Sequence, residues 1–357
     1  MTDLTHLTRH WPLVARPRPA GLPLSDRIQE VRDLVQRGRA GDSGAGQAEV
    51  AAAYNRAALI ASDCGLHNLA TDLCWQHVAR YPDWPLDAAT ARLALEPVVN
   101  LARLAIRARD GDGAHRLLDS LYDGVTRRVD IAIDGRTLRL SRLTATDDDH
   151  RTVREWLWTV LLAEGTRALA TAGRWTDALR LAEQHRGVGT RLLDGRQVAV
   201  LAHCTSGGTA TALTILADSR PAEPWEDAVA ACLKVLCETA AGSRSKAATA
   251  AMVDQYLDLV VPGNLAVFGA RLGLAVVDLA ADDQAVASRV ARHIVCTATS
   301  GADGYAARDV LLYGGPLLAP GEREALTPVV TAAGLDQSRT ADVRTAAGLA
   351  EALLLNE

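Results

Sequence analysis

Cys64-x2-His67 and Cys74-x2-His77 place two thiols and two imidazoles within 14 residues, donor types that suit a tetrahedral zinc site. Both cysteines also fall on apolar helical positions, where a reduced cysteine behaves as a small buried hydrophobe. The run Asp147-Asp148-Asp149-His150 has the makeup of a cation or acid–base site, and equally of a helix start, where carboxylates are favoured by the positive end of the helix dipole. His203 and Cys204 are adjacent on a helical pattern, so their side chains diverge by about 100° and cannot face each other as a thiol–imidazole pair. His115, His185 and His293 lie alone in helical segments. Gly-x-Ser-x-Gly, His-Glu-x-x-His, Gly-x4-Gly-Lys and Gly-x-Gly-x-x-Gly after a strand do not occur. These patterns assign no catalytic residue, no metal ligand and no cofactor.

Binding chemistry has more coherent candidates. Asn55 and Asn100, with Gln197 ten residues before Gly207, put amides at matched places on successive helices. An amide both donates and accepts, so a ladder of them suits the backbone of an extended peptide. Arg56, Arg103, Arg107, Arg167 and Arg196 lie on the same set of helices and can pair carboxylates. Trp156, Trp158 and Trp175, with Arg154, Arg167 and Arg174, offer a cation–π surface. The competing reading is core packing, favoured because bulky residues are scarce and Phe268 is the only phenylalanine.

The elements that would position these groups are helices. Four prolines between Trp11 and Pro23 deny that stretch regular helix. Ser25 can cap a helix over Asp26 to Arg39, whose Ile28, Val31, Leu34 and Val35 share a face, and Gly41 to Gly46 reads as a flexible link. Gln47 to Asp63 and Ala70 to Arg80 form a first hairpin broken at Gly65. Ala91 to Arg109 and Ala114 to Tyr122 form a second around an Asp110–Gly113 turn. Residues 129–143 then alternate apolar and polar around Asp134-Gly135, the pattern of a β-hairpin, which must lean on the helices because two strands are marginal alone. Thr146 and the three aspartates open the helix of Trp156. Helix pairs continue to a break at Gly314-Gly315-Pro316, with terminal helices around it, the last over Ala341 to Leu355.

At 357 residues, 48% of them hydrophobic, the chain can bury a large core. Lys234 and Lys246 are the only lysines, a coding bias of the kind high-GC genomes show. The formal charge of −5 argues against a general nucleic-acid binder, which needs a surplus of cations on one face. Met1 to Trp11 holds no apolar core of signal-peptide length. Leu265 to Ala281 is too short and too charged for a membrane span. Six cysteines in apolar helical patterns favour reduced thiols and hence a cytoplasmic protein.

Gly173, Gly207 and Gly242 are spaced by 34 and 35 residues, each followed five residues later by alanine, and Gly65 precedes Pro82 by the same 17 residues that separate Gly207 from Pro224. This punctuation resembles the tetratricopeptide-repeat family in a degenerate form. In the first unit the family's residues fall on Tyr54, Ala57, Ala58, Ala61, Gly65, Ala70 and Pro82. Cys74 stands where an aromatic is usual and His77 where a small residue is. The resemblance implies an all-α fold, a right-handed stack of antiparallel helix hairpins over residues 47–355 with a β-hairpin insertion at 129–143. Residues 1–46 would form a Pro-rich arm and capping helix. It further implies a concave groove lined by the leading helices, where Asn55, Arg56, Asn100, Arg103, Arg107, Arg167, Arg196 and Gln197 would meet a peptide or protein segment. Members that clamp a carboxy terminus use lysines, which this groove lacks. The first expectation is therefore a non-catalytic binding scaffold. The alternatives are an enzyme or enzyme subunit of a peptide-modifying or natural-product pathway, and a peptide-responsive regulator, although residues 1–46 hold one helix and no helix-turn-helix reader.

Overall fold

A computed structural model describes residues 4–41, 43–82, 84–336 and 348–349. Residues 1–23 contribute α1 (Thr5–Thr8) followed by an extended arm. Residues 24–172 contribute α2 (Leu24–Ala40), α3 (Ser43–Asp63), α4 (His67–Ala79), α5 (Ala88–Arg107), α6 (Gly111–Arg127), α7 (Asp147–Val160) and α8 (Thr166–Thr171). Between α6 and α7 lie β1 (Ile131–Ile133) and β2 (Arg136–Leu138), and a π-helical turn, Leu161–Gly165, joins α7 to α8. Residues 173–335 contribute α9 (Trp175–Gln184), α10 (Asp194–Thr205), α11 (Thr209–Ala217), α12 (Pro224–Ala240), α13 (Lys246–Leu257), α14 (Ala266–Leu279), α15 (Gln284–Ser300), α16 (Gly304–Tyr313) and α17 (Pro320–Ala332). The fold is all-α apart from the β1–β2 pair, and among the described residues no helix is long and apolar enough to cross a membrane.

The chain forms two compact units, and each is completed by a segment distant in sequence. Unit 1 comprises residues 1–23 and 173–335, and unit 2 comprises residues 24–172 and 336–357. The division falls at residues 23 and 172, not at the 46/47 boundary that the glycine run suggests. The reason is local: Gly44 and Gly46 are helical, α3 begins at Ser43, and a Cβ on Gly46 would sit 2.6 Å from the Gly38 carbonyl. These glycines let α2 and α3 approach closely, so α2 packs on α3 instead of leaving on a flexible link. Ser25 lies inside α2, its hydroxyl bonded to Asp26 at 3.1 Å, and the buried face of that helix is Arg27, Val31, Leu34 and Val35. Of the expected terminal helix at 341–355, all but Gly348 and Leu349 lies outside the described residues; Leu349 is buried, and a Cβ on Gly348 would meet Ile28 of α2 at 3.5 Å.

In unit 2, α3 packs on α4, α4 on α5 and α5 on α6, while α5 also touches α3, α7 and α8. In unit 1 the helices α10, α12, α14 and α16 touch in series, and α13, α15 and α17 do likewise. Buried side chains are small, as the composition requires: Ala57, Ala61, Ala70 and Ala102 are fully enclosed in unit 2, as are Val229, Cys232, Leu233 and Leu236 in unit 1. The β-hairpin turns through Asp134 and Gly135, at φ 52° and 74°, as a type I′ turn requires. Its strands are shorter than the alternation predicts because Leu140–Arg142 coils into a 3-10 turn. Ile133 and Leu138 are buried, and Arg136 lies 5.0 Å from the Trp75 ring centre on α4.

Gly65, Gly173, Gly207 and Gly242 all adopt positive φ, between 68° and 88°, with open space where a Cβ would go. Each ends a helix, and the backbone there closes with bonds such as Gly208 N–H to His203 C=O at 2.8 Å. The second hairpin does this differently. Asp110 is the cap of α6, accepting from Gly113 N–H at 2.8 Å, and the left-handed residue is Arg109, at φ 61°. Arg109→Gly is therefore expected to stabilise the protein by about 1 kcal/mol and Gly207→Ala to destabilise it by about the same amount. Urea melts with an unchanged slope would show both; a loss of stability in Arg109→Gly would contradict the assignment.

Candidate functional site

Helical periodicity puts Asn55 and Ser62 on one face of α3, with Asp63 beside them, and Asn100, Arg103 and Arg107 on one face of α5. Because α3 packs on α5, the two faces meet. Asn100 Nδ2 donates to Asn55 Oδ1 at 2.8 Å, and Arg103 Nη1 donates to Asn100 Oδ1 at 2.9 Å. The ladder continues to the π-helical turn, where Arg103 Nε donates to Glu164 Oε1 at 2.9 Å and Arg167 Nη1 lies 3.7 Å from Glu164 Oε2. π-Helical turns recur at functional sites because the wider turn re-aims a side chain; here Glu164 is held nearly buried between two guanidiniums.

At the far end of α3, Arg107 donates through Nε to Ser62 Oγ at 3.1 Å and through Nη2 to Asp63. Arg27 of α2 donates to the other Asp63 oxygen. Four guanidiniums thus share two carboxylates. Glu96 lies one turn before Asn100 on α5. Asp63 is fully buried, whereas the side chains of Arg103, Arg107 and Arg167 are 41%, 31% and 28% exposed. These three side chains are partly solvent-exposed, and a guanidinium is a donor that carboxylates and peptide carbonyls accept from.

Five of the eight expected groove residues therefore come together: Asn55, Asn100, Arg103, Arg107 and Arg167. Arg56 does not join them; it pairs with Glu30 of α2 at 3.2 Å. Arg196 and Gln197 belong to unit 1 and are structural. Arg196 ties α10 to the end of α11 through Ser219 Oγ at 3.0 Å and the Ile215 carbonyl at 2.7 Å. Gln197 is not a groove residue at all: it has no exposed surface, accepts the Trp11 indole N–H at 3.0 Å and donates to the Leu192 carbonyl at 2.7 Å. Gln197 sits on α10 at the position its helical spacing predicts, and the arm covers that face. Asp63, Glu164 and Arg27 were missed. The available signal was a charged residue inside an apolar helical stripe, as Arg27 is with Val31 and Leu34, and Glu164 among Leu161, Gly165 and Ala168.

The other constellations resolve as structure. Cys64, Cys74 and His77 are buried in unit 2 and His67 is exposed. Burial pushes the Cys74 thiol up to about 12, and His77 stacks on Tyr54 at 5.4 Å. Asp147 pairs with Arg128 at 2.5 Å, Asp148 with Arg151 at 2.8 Å, and Asp149 accepts the Ala88 N–H at 2.9 Å. Thr146 caps α7 by accepting from Asp149 N–H at 3.1 Å. Among the described residues no three His, Cys, Asp or Glu side chains gather as a metal site. Trp175 is core, Trp158 is 36% exposed, and Arg92 lies 5.4 Å from the Trp156 ring centre. In unit 1 a cavity of about 180 Å³ is lined by Tyr256, Gly269 and His293, with the Tyr256 hydroxyl already bonded to the Gly269 carbonyl at 3.1 Å. That is smaller than the usual small-molecule pocket. No family model, no curated protein and no solved structure matches the chain.

Proposed function

We propose that the protein is a non-catalytic scaffold that receives an extended protein segment bearing acidic side chains, on the face of unit 2 formed by Asn55, Asn100, Arg103, Arg107 and Arg167. In this reading the helix pairs stack as a tetratricopeptide-like array with α3, α5 and α8 leading. The carrying observation is the convergence of arginines: Arg103 and Arg167 meet the Glu164 carboxylate, Arg107 and Arg27 the Asp63 carboxylate, and the side chains of Arg103, Arg107 and Arg167 are partly exposed. The Asn55–Asn100 bond orders the ladder, and its unused amide N–H groups are suited to backbone carbonyls.

A fluorescein-labelled peptide of alternating glutamate and glycine, titrated at low and physiological salt, tests this. Binding is expected to weaken with salt and to fall about tenfold or more in Arg103→Ala/Arg167→Ala, since a charge-assisted hydrogen bond contributes about 1.5–3 kcal/mol. Binding that is indifferent to both changes, or a turnover measured for the purified chain, would reject it.

A further inference from the structure

Unit 1 carries an extended peptide on its own helices. The arm from Trp11 to Pro23 contains no helix, and at four points its side chains or backbone are read by α10, α14 and α16 or the turns that lead into them. Trp11 is 6% exposed and gives its indole N–H to Gln197. Arg16 Nη1 donates to Asp194 Oδ1 at 3.0 Å, with Nη2 on the second oxygen. The Arg18 N–H reaches the Asn264 carbonyl at 2.9 Å. Gly21 docks backbone to backbone: its carbonyl accepts from Gly304 N–H at 2.9 Å, and a Cβ on Gly21 would come within 2.7 Å of Tyr305 N. Just before the arm, His10 lies 3.6 Å from Asp278 and 5.2 Å from the Tyr313 ring.

We infer that this face of unit 1 is a second, separate peptide groove, whose external ligand is an extended basic segment of the pattern Trp-x4-Arg-x4-Gly, for which the arm is a resident stand-in. Three observations carry it. The contacts are discrete and chemically selective: a buried amide for an indole N–H, a carboxylate gripping a guanidinium by both oxygens, and a glycine-only approach. A buried amide left without its donor is costly, so the face discriminates against segments lacking the indole. Charge is complementary at Arg16, which Asp194 grips, while Asp309 on the same face is already paired with Arg271. The arm also carries strain. Leu13 is held at φ 55°, a left-handed conformation that leucine disfavours, and a ligand free of that strain has the advantage.

The test uses a fluorescein-labelled peptide of residues 4–23 and the full chain. The chain with Trp11→Ala/Arg16→Ala is expected to bind the peptide about tenfold or more tighter than the intact chain, because its own arm competes poorly. The same peptide with Trp11→Ala should bind neither. In the Asp194→Arg chain, the native peptide should be rejected and an Arg16→Glu peptide accepted, which a collapsed fold could not do. In the intact chain, hydrogen exchange at Arg18 should be faster than at amides inside α14. A Trp11→Ala/Arg16→Ala chain that melts like the intact one yet binds no peptide would overturn the inference. So would arm amides as protected as those of α14, or a concentration-dependent dimer in which only a second copy's arm enters the face.

Discussion

Asp63→Ala is expected to destabilise the protein by about 3–5 kcal/mol, the cost of breaking a buried ion pair from one side. The Asp63 side chain has no exposure and accepts from both Arg27 and Arg107, one guanidinium on each oxygen. The two arginines respond differently to its loss. Arg107 is 31% exposed and can turn to water, whereas Arg27 is 6% exposed and keeps its charge inside the α2–α3 contact. Most of the penalty therefore belongs to Arg27. Replacing both members, Arg27→Met with Asp63→Leu, should recover most of the loss, because removing a buried pair together with its desolvation cost is near neutral. Urea denaturation of Arg27→Met, Asp63→Leu and the double variant measures this as a coupling energy. Additive losses would show that the pair is not the unit of stability.

Acidification should be the second large effect. His77 is 1% exposed, and its burial, with the Arg80 guanidinium nearby, lowers it to about 4; Tyr54 and Tyr81 complete its surroundings. His10 in unit 1 is 2% exposed and is likewise lowered to about 4, where burial and the charges of Arg9 and Arg271 outweigh Asp309. Each imidazole is easier to protonate in the unfolded chain, near 6.5, than in the folded one. Their contribution is thus complete above pH 6.5, is lost as pH falls towards about 4, and changes little below that. The loss is roughly 3 kcal/mol per histidine. His77→Phe should remove His77's share of the slope between pH 6.5 and 4 while His10 retains its own. A melting profile equally steep in that variant would mean that other groups govern acid stability.

Under the proposed function, Arg103, Arg107 and Arg167 connect stability to binding. Arg107 serves the buried Asp63, so its substitution would damage the fold, whereas Arg103 and Arg167 meet Glu164 at a partly solvated edge. For that reason the binding test rests on the latter two. Salt sensitivity separates their contribution further, since screening acts on exposed charges and little on Arg27.

Much of the local structure was legible in the chain. Gly65, Gly173, Gly207 and Gly242 end helices, Asp134-Gly135 makes the hairpin turn and Thr146 caps α7, because each is decided by partners within about five residues. The amphipathic spacing placed Asn55, Asn100, Arg103, Arg107 and Arg167 on their helices for the same reason. Gly41 to Gly46 and the Asp110–Gly113 turn misled, since a glycine marks a flexible joint and a close helix contact with the same letter; only the Gly38 carbonyl beside Gly46 distinguishes them.

What tertiary structure alone decided were the partners of those side chains. Arg27 meets Asp63 across 36 residues, Arg103 meets Glu164 across 61, and Trp11 meets Gln197 across 186. Periodicity says which face of a helix a residue occupies, but not which distant segment covers that face. That is why the amides of Asn55 and Gln197, alike in type and helical position, have opposite fates: one on a half-open polar ladder, the other sealed beneath an arm that the chain brings back from its first residues.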